Sequence, residues 1–289
     1  MKFFSQCRAV LPFRRSSARI WVLSLVLLLT AVVDTAEAVS VSPTALYIDS
    51  RTRTGVMTLH NPGSLPEEIT IGFAFGYPIS DANGLVSVQL LDEAPAGEPS
   101  AAEWMRVFPR RLILQPGQRQ VIRVMVQPPA DLPDGEYWAR IIISSRGGQP
   151  PIEQTDGNVS LQLNVETVLV MAANYRQGAV SAGVEITGAS AQRTEDGVSL
   201  ELDMQRTGNA AALGRVLVEL LDAQGSVVAT THEDIAVYRT MRRRLLLAVP
   251  ENASGPLGIR IRIVPEREDL PAASILNFAS VTHSLAVLP

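Results

Sequence analysis

The side chains that could carry out catalysis are few and scattered along the 289 residues. His60, His232 and His283 stand far apart, and none lies near a second histidine or a carboxylate at a metal-ligand spacing such as HExxH. The serines form no GxSxG nucleophile elbow. The stretch Arg146-Gly147-Gly148-Gln149 lacks the GxxxxGK pattern of a phosphate-binding loop. We therefore expect no enzyme activity, no cofactor and no metal site.

Residues 1–38 contain the three parts of a secretory signal. A basic head with Lys2 and four arginines precedes the apolar run Ile20 to Val33, and Ala36-Glu37-Ala38 supplies small residues for cleavage. The uncharged run is shorter than the roughly 20 residues of a spanning helix, which disfavours a membrane anchor. We predict cleavage after Ala38, so that the mature chain begins at Val39 and has no membrane partner.

Charge and cysteine content limit what the exported chain does. Loss of the signal removes five basic and two acidic residues. The remaining chain has 20 basic and 27 acidic residues, a formal net charge of −7. This balance argues against a nucleic-acid partner. The only cysteine, Cys7, leaves with the signal, so core packing without disulfides must hold the mature fold together.

After Val39 the chain reads as short strands separated by turn residues such as Asn61-Pro62-Gly63 and Pro133-Asp134-Gly135. Eight such runs occupy the first part: Val39 to Ile48, Val56 to His60, Glu68 to Phe75, Leu85 to Leu91, Met105 to Phe108, Gln120 to Gln127, Glu136 to Ser144 and Ser160 to Met171. Short strands at this spacing predict an antiparallel sandwich.

The strand pattern breaks at Ala172 to Gly178 and then resumes. The later runs are Val198 to Gln205, Arg215 to Leu221, Ser226 to Thr231, Arg243 to Val249 and Gly258 to Val264. We predict an all-β chain of two tandem sandwich domains, 39–176 and 177–289. An extra strand over Ser274 to Leu288 either completes the second domain or is donated to another molecule.

The run Ser160 to Met171 has an apolar face whose covering partner the sequence does not specify. Its sequence, SLQLNVETVLVM, alternates polar and apolar residues before it becomes continuously apolar. Alternation of period two indicates a strand with one apolar face. That face is covered either by the chain's own core or by another protein.

Several segments in order resemble the PapD-like periplasmic chaperones of the chaperone-usher pathway, which serve pili and fimbriae. They are Val41 to Tyr47, Val56 to Asn61, Arg106 to Val124 with its Gln115-Pro116-Gly117 turn, and Leu132 to Trp138. The resemblance covers the first domain, and the second matches only a generic immunoglobulin-like module. It implies two immunoglobulin-like domains in a boomerang arrangement and a location in the periplasm.

The resemblance also implies a function, in which the last strand of the first domain (G1) is lent to a pilin-like subunit that lacks a strand. This donor-strand complementation would stabilise the subunit for pilus or surface-structure assembly. The run Ser160 to Met171 aligns with G1, and its donor side chains would be Leu161, Leu163 and Val165. An outer-membrane usher as a further partner is left open.

The sequence departs from the family at the interdomain cleft. The family holds the subunit's terminal carboxylate with an arginine on the first strand and a lysine on G1, where this chain has Ala45 and Val170. Arg176 is a possible substitute anchor, as are Arg51 and Arg53, although each also fits an ordinary surface arginine. The alternative is a structural or adhesive protein of tandem immunoglobulin-like domains without chaperone activity.

Overall fold

The computed structural model describes residues 39–147, 152–156, 159–163, 165–250, 253 and 255–289. The predicted signal, residues 1–38, lies outside these ranges. Regular structure in them is β-strand apart from two single-turn 3₁₀ helices, Ala102–Trp104 and Ala272–Ser274. Within the same ranges, no helix has the length and apolar character needed to cross a membrane.

Thirteen strands make up the first half of the described chain. They are β1 Ser40–Ser42, β2 Ala45–Asp49, β3 Thr54–His60, β4 Glu67–Ser80, β5 Val86–Leu91, β6 Met105–Phe108, β7 Arg111–Leu114, β8 Arg119–Val126, β9 Gly135–Tyr137, β10 Arg140–Gly147, β11 Ile152–Asp156, β12 Val159–Leu163 and β13 Glu166–Gln177. Sheet I has the order β1-β3-β8-β6. Sheet II has the order β2-β13-β10-β4-β5, with β7 beside β4 and β9 beside β13.

Alternation of side chains packs sheet I against sheet II. In β8, Ile122 and Val124 are fully buried, while Arg119, Val121 and Arg123 on the opposite face of the strand face solvent. They meet core residues of sheet II such as Ile141. Because each strand presents one apolar face, the two sheets enclose a single core. The immunoglobulin-like sandwich expected here is confirmed.

The first predicted strand, Val39 to Ile48, is divided between the two sheets. β1 pairs with β3 in sheet I, whereas β2 pairs in parallel with β13 in sheet II. Pro43 lies between them, and proline has no N–H for a strand ladder. The chain therefore crosses from one sheet to the other at this residue, which links the edges of both sheets.

The second half contains two further sheets. Its strands are β14 Ala182–Thr194, β15 Gly197–Gly208, β16 Ala212–Leu221, β17 Val227–Val237, β18 Thr240–Leu247, β19 Gly258–Val264 and β20 Val281–Ala286. Sheet III has the order β14-β15-β18, and sheet IV has the order β17-β16-β19-β20. A second apolar core lies between them. β14 is absent from the predicted runs because its small and polar residues alternate only weakly.

The C-terminal segment completes the second half. β20 pairs with β19 at the edge of sheet IV, and Leu288 exchanges backbone hydrogen bonds with Ala191 and Arg193 of sheet III. These bonds tie the segment to both sheets. Of the two roles that the sequence left open for it, the structure has the segment packed within its own chain.

An apolar and aromatic cluster joins the two halves. Phe75 and Trp138 of the first half pack with Leu213 and Tyr238 of the second, and all four are nearly inaccessible to solvent. The Trp138 and Tyr238 rings meet edge-on with centroids 5.0 Å apart. Aromatic side chains bury large areas, so this cluster gives the contact between the halves an apolar centre.

A buried ion pair lies beside that cluster. The Nε of Arg176 donates to the Glu136 carboxylate at 2.8 Å, and the two residues are 8% and 2% exposed. The second half supplies partners to both: the Ala211 N–H donates to Glu136, and Arg176 donates to the Ser274 carbonyl oxygen at 2.7 Å. Contact between the halves thus completes the hydrogen bonds of an ion pair that the first half forms by itself.

The β4–β5 hairpin reaches the second half as well. The Arg242 N–H donates to Ser80 Oγ, and the Arg243 guanidinium donates to the Gly84 carbonyl oxygen. Gly84 has a positive φ of 79°, and a Cβ built on it would lie 2.6 Å from the Arg244 nitrogen. Glycine is therefore required at the tip by backbone conformation and by close contact with β18.

Replacing Glu136 by Ala should lower the free energy of unfolding by about 3–5 kcal/mol, because the Arg176 charge stays buried without its partner. Chemical denaturation measures this change. The matched control is Glu166→Ala at the exposed Arg146–Glu166 pair, which should cost no more than about 0.5 kcal/mol. Equal losses in the two variants would contradict the role of the buried pair.

The hairpin contact predicts a difference between two glycines of similar φ. Gly97 has a φ of 83°, and a Cβ there would meet no atom within 4 Å, so Gly97→Ala should cost about 1–2 kcal/mol from conformation alone. Gly84→Ala should cost more, because the new methyl group meets the β18 backbone. Denaturation midpoints of the two variants, measured side by side, test this order; a smaller loss for Gly84→Ala would refute the contact.

Candidate functional site

The run Ser160 to Met171, predicted as one strand, is divided in the structure. Residues Val159–Leu163 form β12, which pairs with β11 as a two-stranded hairpin, and β13 begins at Glu166. The side chains of Leu161 and Leu163 lie outside the described residues. Val165 stands between the two strands and is 49% exposed. The predicted donor residues therefore precede the strand of sheet II rather than belong to it.

β13 has an open backbone edge along its first half. From Glu166 to Ala172 it pairs with β10 on one side, and β2 joins its other side only from Ala172 to Arg176. Among the described residues, no second strand pairs with Glu166 to Met171 on the side away from β10. Unpaired N–H and C=O groups in an extended strand are a template for a strand of another chain.

The two faces of β13 have different surroundings. Leu169 and Met171 pack against the core between sheets I and II. Val168 and Val170 alternate with them, so they lie on the outer face of sheet II. The apolar side chains of the open segment thus serve the chain's own core on one face and remain available on the other.

On β13, β10 and β4, two rows of the outer face of sheet II next to the open edge carry no charge. The register places Val170 opposite Ile142, and Ile142 opposite Gly72 on β4. The next row contains Val168, Ser144 and Thr70. A Cβ at Gly72 would have no neighbour within 4 Å, so the surface there is open. A neutral, flat surface therefore borders the edge.

A cleft of about 340 Å³ lies at the end of this surface, between the two halves. Ala45 and Val170, the two positions that the sequence resemblance aligns with cations, both line it. Leu213, Ala236 and Tyr238 of the second half form the opposite wall. The structure thus brings together the two aligned positions, and neither supplies a charge.

A different arginine, Arg140 of β10, lines the same cleft. It lies opposite Ala172 in the sheet and is 5% exposed. Its Nε donates to the Gly76 carbonyl oxygen at 3.1 Å, and its guanidinium stacks 5.2 Å from the centroid of the Tyr238 ring. One terminal nitrogen, NH2, is buried and has no hydrogen-bond partner among the described residues. A buried guanidinium with an unused donor favours an anionic ligand.

The second cation of the cleft is already neutralised. Arg267 forms two hydrogen bonds with the Asp269 carboxylate and donates to the Ile235 carbonyl oxygen at 3.0 Å. The hydrogen bond from Arg267 lowers the pKa of Asp269, so this carboxyl group stays ionised at neutral pH. Burial raises the pKa of Tyr47, another lining residue, well above 10.0 and keeps its phenol protonated. The excess positive charge therefore belongs to Arg140.

The arginines considered as substitute anchors have other positions. Arg176 is buried in the ion pair with Glu136, and its guanidinium lies 4.5 Å from the centroid of the Tyr47 ring. Arg51 forms an exposed pair with Asp49 at 3.4 Å, and Arg53 donates to the Ser50 carbonyl oxygen. None of the three lines the cleft. Arg176 therefore serves the contact between the halves.

The histidines and acidic residues do not assemble into a metal centre where the chain is described. His60 lies in β3, His232 in β17 and His283 in β20. In the described ranges, no three histidine, cysteine or acidic side chains are grouped closely enough to hold a metal ion. The candidate site combines the open edge of β13, the uncharged rows beside it and the cleft.

Arg140 was not predicted from the sequence, because the resemblance implies cations only on the first strand and G1, and the possible substitutes lie next to those strands. The signal was present in Arg140-Ile141-Ile142-Ile143, where a charge stands at the start of an apolar strand. A charged residue in such a strand is seldom buried without a partner. Its position beside Ala172 depends on the pairing of β10 with β13, which the sequence does not specify.

No protein-family model and no curated protein matches the chain. Several solved structures are similar to the chain. The Salmonella enterica SafA pilin–SafB chaperone complex is similar with a TM-score of 0.43 and 16% identity over 86% of this chain and 96% of that chain. The Pseudomonas aeruginosa CupB2 chaperone is similar with a TM-score of 0.40 and 13% identity over 86% of this chain and 100% of that chain.

A third similar structure comes from the CsuC–CsuE chaperone–tip subunit pre-assembly complex of Acinetobacter baumannii Csu pili. Its TM-score is 0.41, with 11% identity over 87% of this chain and 99% of that chain. Two of these structures contain a chaperone with a pilin or tip subunit, and the CupB2 structure is that of a chaperone.

Proposed function

We propose that the chain is a non-catalytic periplasmic chaperone that binds incomplete pilin-like subunits by strand addition during assembly of a pilus or surface structure. The observation that carries this proposal is the open edge of β13 from Glu166 to Met171. A sandwich that lacks a strand offers a complementary edge. Backbone hydrogen bonds along β13 would supply affinity, and alternate side chains would supply specificity.

The donor segment begins before β13 in this proposal. Leu161, Leu163 and Val165 have the same alternation as Leu169 and Met171, which pack into the chain's own core. Leaving the β11–β12 hairpin would extend β13 toward its N-terminus and align the five side chains on one face. The extended strand would place three apolar side chains beyond the chain's own core, within a subunit that lacks a strand.

The cleft would receive the terminal carboxylate of the subunit, with Arg140 as its anchor. Ala45 and Val170 are uncharged and leave room in the cleft for a carboxylate. The positive charge would come from Arg140 on β10, the strand next to β13. The Arg140 guanidinium stacks on the Tyr238 ring and donates a hydrogen bond to the Gly76 carbonyl oxygen, and these two contacts fix its orientation. Fixed donors lose little entropy when a carboxylate binds.

One observation favours the alternative, a structural or adhesive tandem-domain protein. β12 pairs with β11 of the same chain over five residues, which occupies one of its edges. A permanent hairpin would leave Leu161 and Leu163 unavailable to a partner. The variants below distinguish a strand that is lent from one that the chain keeps.

Changing Leu161, Leu163 and Val165 together to Thr should abolish co-purification with the co-expressed pilin-like subunit, because Thr keeps strand propensity while removing apolar area. The control is Val227→Thr, Leu246→Thr and Leu288→Thr, three exposed apolar residues of the second half, which should leave the complex intact. Circular dichroism checks that both variants fold. A triple variant that unfolds without any partner seen would support the structural alternative.

Arg140→Met should weaken subunit binding by about 10- to 100-fold, because a charged hydrogen bond is worth about 1.5–3 kcal/mol. A short C-terminal extension of the subunit, which displaces its carboxylate, should weaken binding to the original chain similarly. The extension should have little further effect on Arg140→Met. Independent, additive losses would show that Arg140 does not contact the carboxylate. Arg193→Met, at an exposed arginine of β14, serves as the control.

A further inference from the structure

The outer face of sheet I carries arginines and apolar side chains in alternation. In β8, Arg119, Val121, Arg123 and Met125 all point to solvent, opposite to the buried Ile122 and Val124. The register places Arg123 between Val56 of β3 and Phe108 of β6. We call the six residues Val56, Phe108, Arg119, Val121, Arg123 and Met125 the cationic face.

The apolar members of this face are well exposed. Phe108 is 73% accessible, Val121 56%, Val56 48% and Met125 38%. Neighbouring strands are about 4.8 Å apart, so these side chains form one surface rather than isolated contacts. Sheet I covers the core with its other face only, and in the described structure no strand or helix lies over the cationic face.

The arginines of this face have no acidic partner in the described part of the chain. Neither Arg119 nor Arg123 forms an ion pair, and the registered neighbours of Arg119 and Arg123 are His60, Val56 and Phe108. Arg106, at the margin, donates to the carbonyl oxygens of Glu103 and Met105. By contrast, six arginines of the second half form ion pairs there: Arg215, Arg242, Arg243, Arg244, Arg260 and Arg267.

The charge of this face opposes that of the whole molecule. The chain from Val39 onward has a formal charge of −7. Positive charge concentrated on one surface of an acidic protein favours association with an acidic partner in one orientation. An anionic membrane would attract this face and repel the rest of the molecule.

The composition of the face is that of a protein interface. Arginine, methionine and aromatic residues are enriched where proteins bind one another, and acidic residues are depleted. Arginine is also one of the residue types enriched among the few that carry most of the binding energy of protein complexes. We propose that the cationic face docks a second folded protein through a carboxylate-rich surface of that partner, separately from the site on β13.

Photo-crosslinking in the cells that naturally make the protein tests this proposal. Benzoylphenylalanine at Val121, the centre of the face, should form an adduct with one acidic protein. The same probe at Val227, an exposed valine of β17, should not. Arg119→Glu with Arg123→Glu should abolish the adduct, and Arg119→Lys with Arg123→Lys should keep it. Reversal at Arg193 and Arg262, exposed arginines of the second half, is the matched control.

Binding of the purified adduct partner provides the quantitative readout. Its dissociation constant should rise by about tenfold or more on double charge reversal and should also rise with salt concentration. Absence of an adduct, an adduct with lipid, or an adduct only with a second copy of the chain would each overturn the proposal. Subunit binding at β13 should be unchanged in the double reversal, so failure here is distinct from failure of the proposed function.

Discussion

The charges of Glu136 and Arg176 are almost completely withdrawn from water, and this constrains how the halves meet. Burial of an ion pair is favourable only when the remaining donors and acceptors are satisfied. Here the satisfying groups come from both halves, since Asn174 and the Ala211 N–H bond to Glu136 and the Ser274 carbonyl oxygen bonds to Arg176. A change in how the halves meet would remove the Ala211 and Ser274 partners from this pair.

The residues around the Glu136–Arg176 pair also position the walls of the cleft. Tyr47 packs under the Arg176 guanidinium and also lines the cleft, while Tyr238 contacts both Asn174 and Arg140. The unused donor of Arg140 is costly to bury. It persists because the walls around it are held by other interactions. The ion pair therefore acts as a structural support for a group that has no partner of its own.

Local patterns predicted most strands and failed where pairing decides the outcome. Regular alternation identified β8 and β19, whose predicted bounds differ from the observed ones by at most one residue. The change of sheet at Pro43 and the separation of β12 from β13 depend on which distant strand is available. The alignment placed Ala45 and Val170 at the cleft. Arg140 remained hidden because cross-strand neighbours cannot be derived from one strand's sequence.

The pairing of β2 with β13 has a consequence for folding kinetics. Ala45 pairs with Ala172, which lies 127 positions later in the chain. Contacts of such high sequence separation form late, because loop closure must be paid before they contribute. Until β2 docks, the side of β13 away from β10 is unpaired along the whole strand, so the immature protein presents a longer open edge than the folded one. The order of strand docking therefore determines when unintended β-pairing is most dangerous.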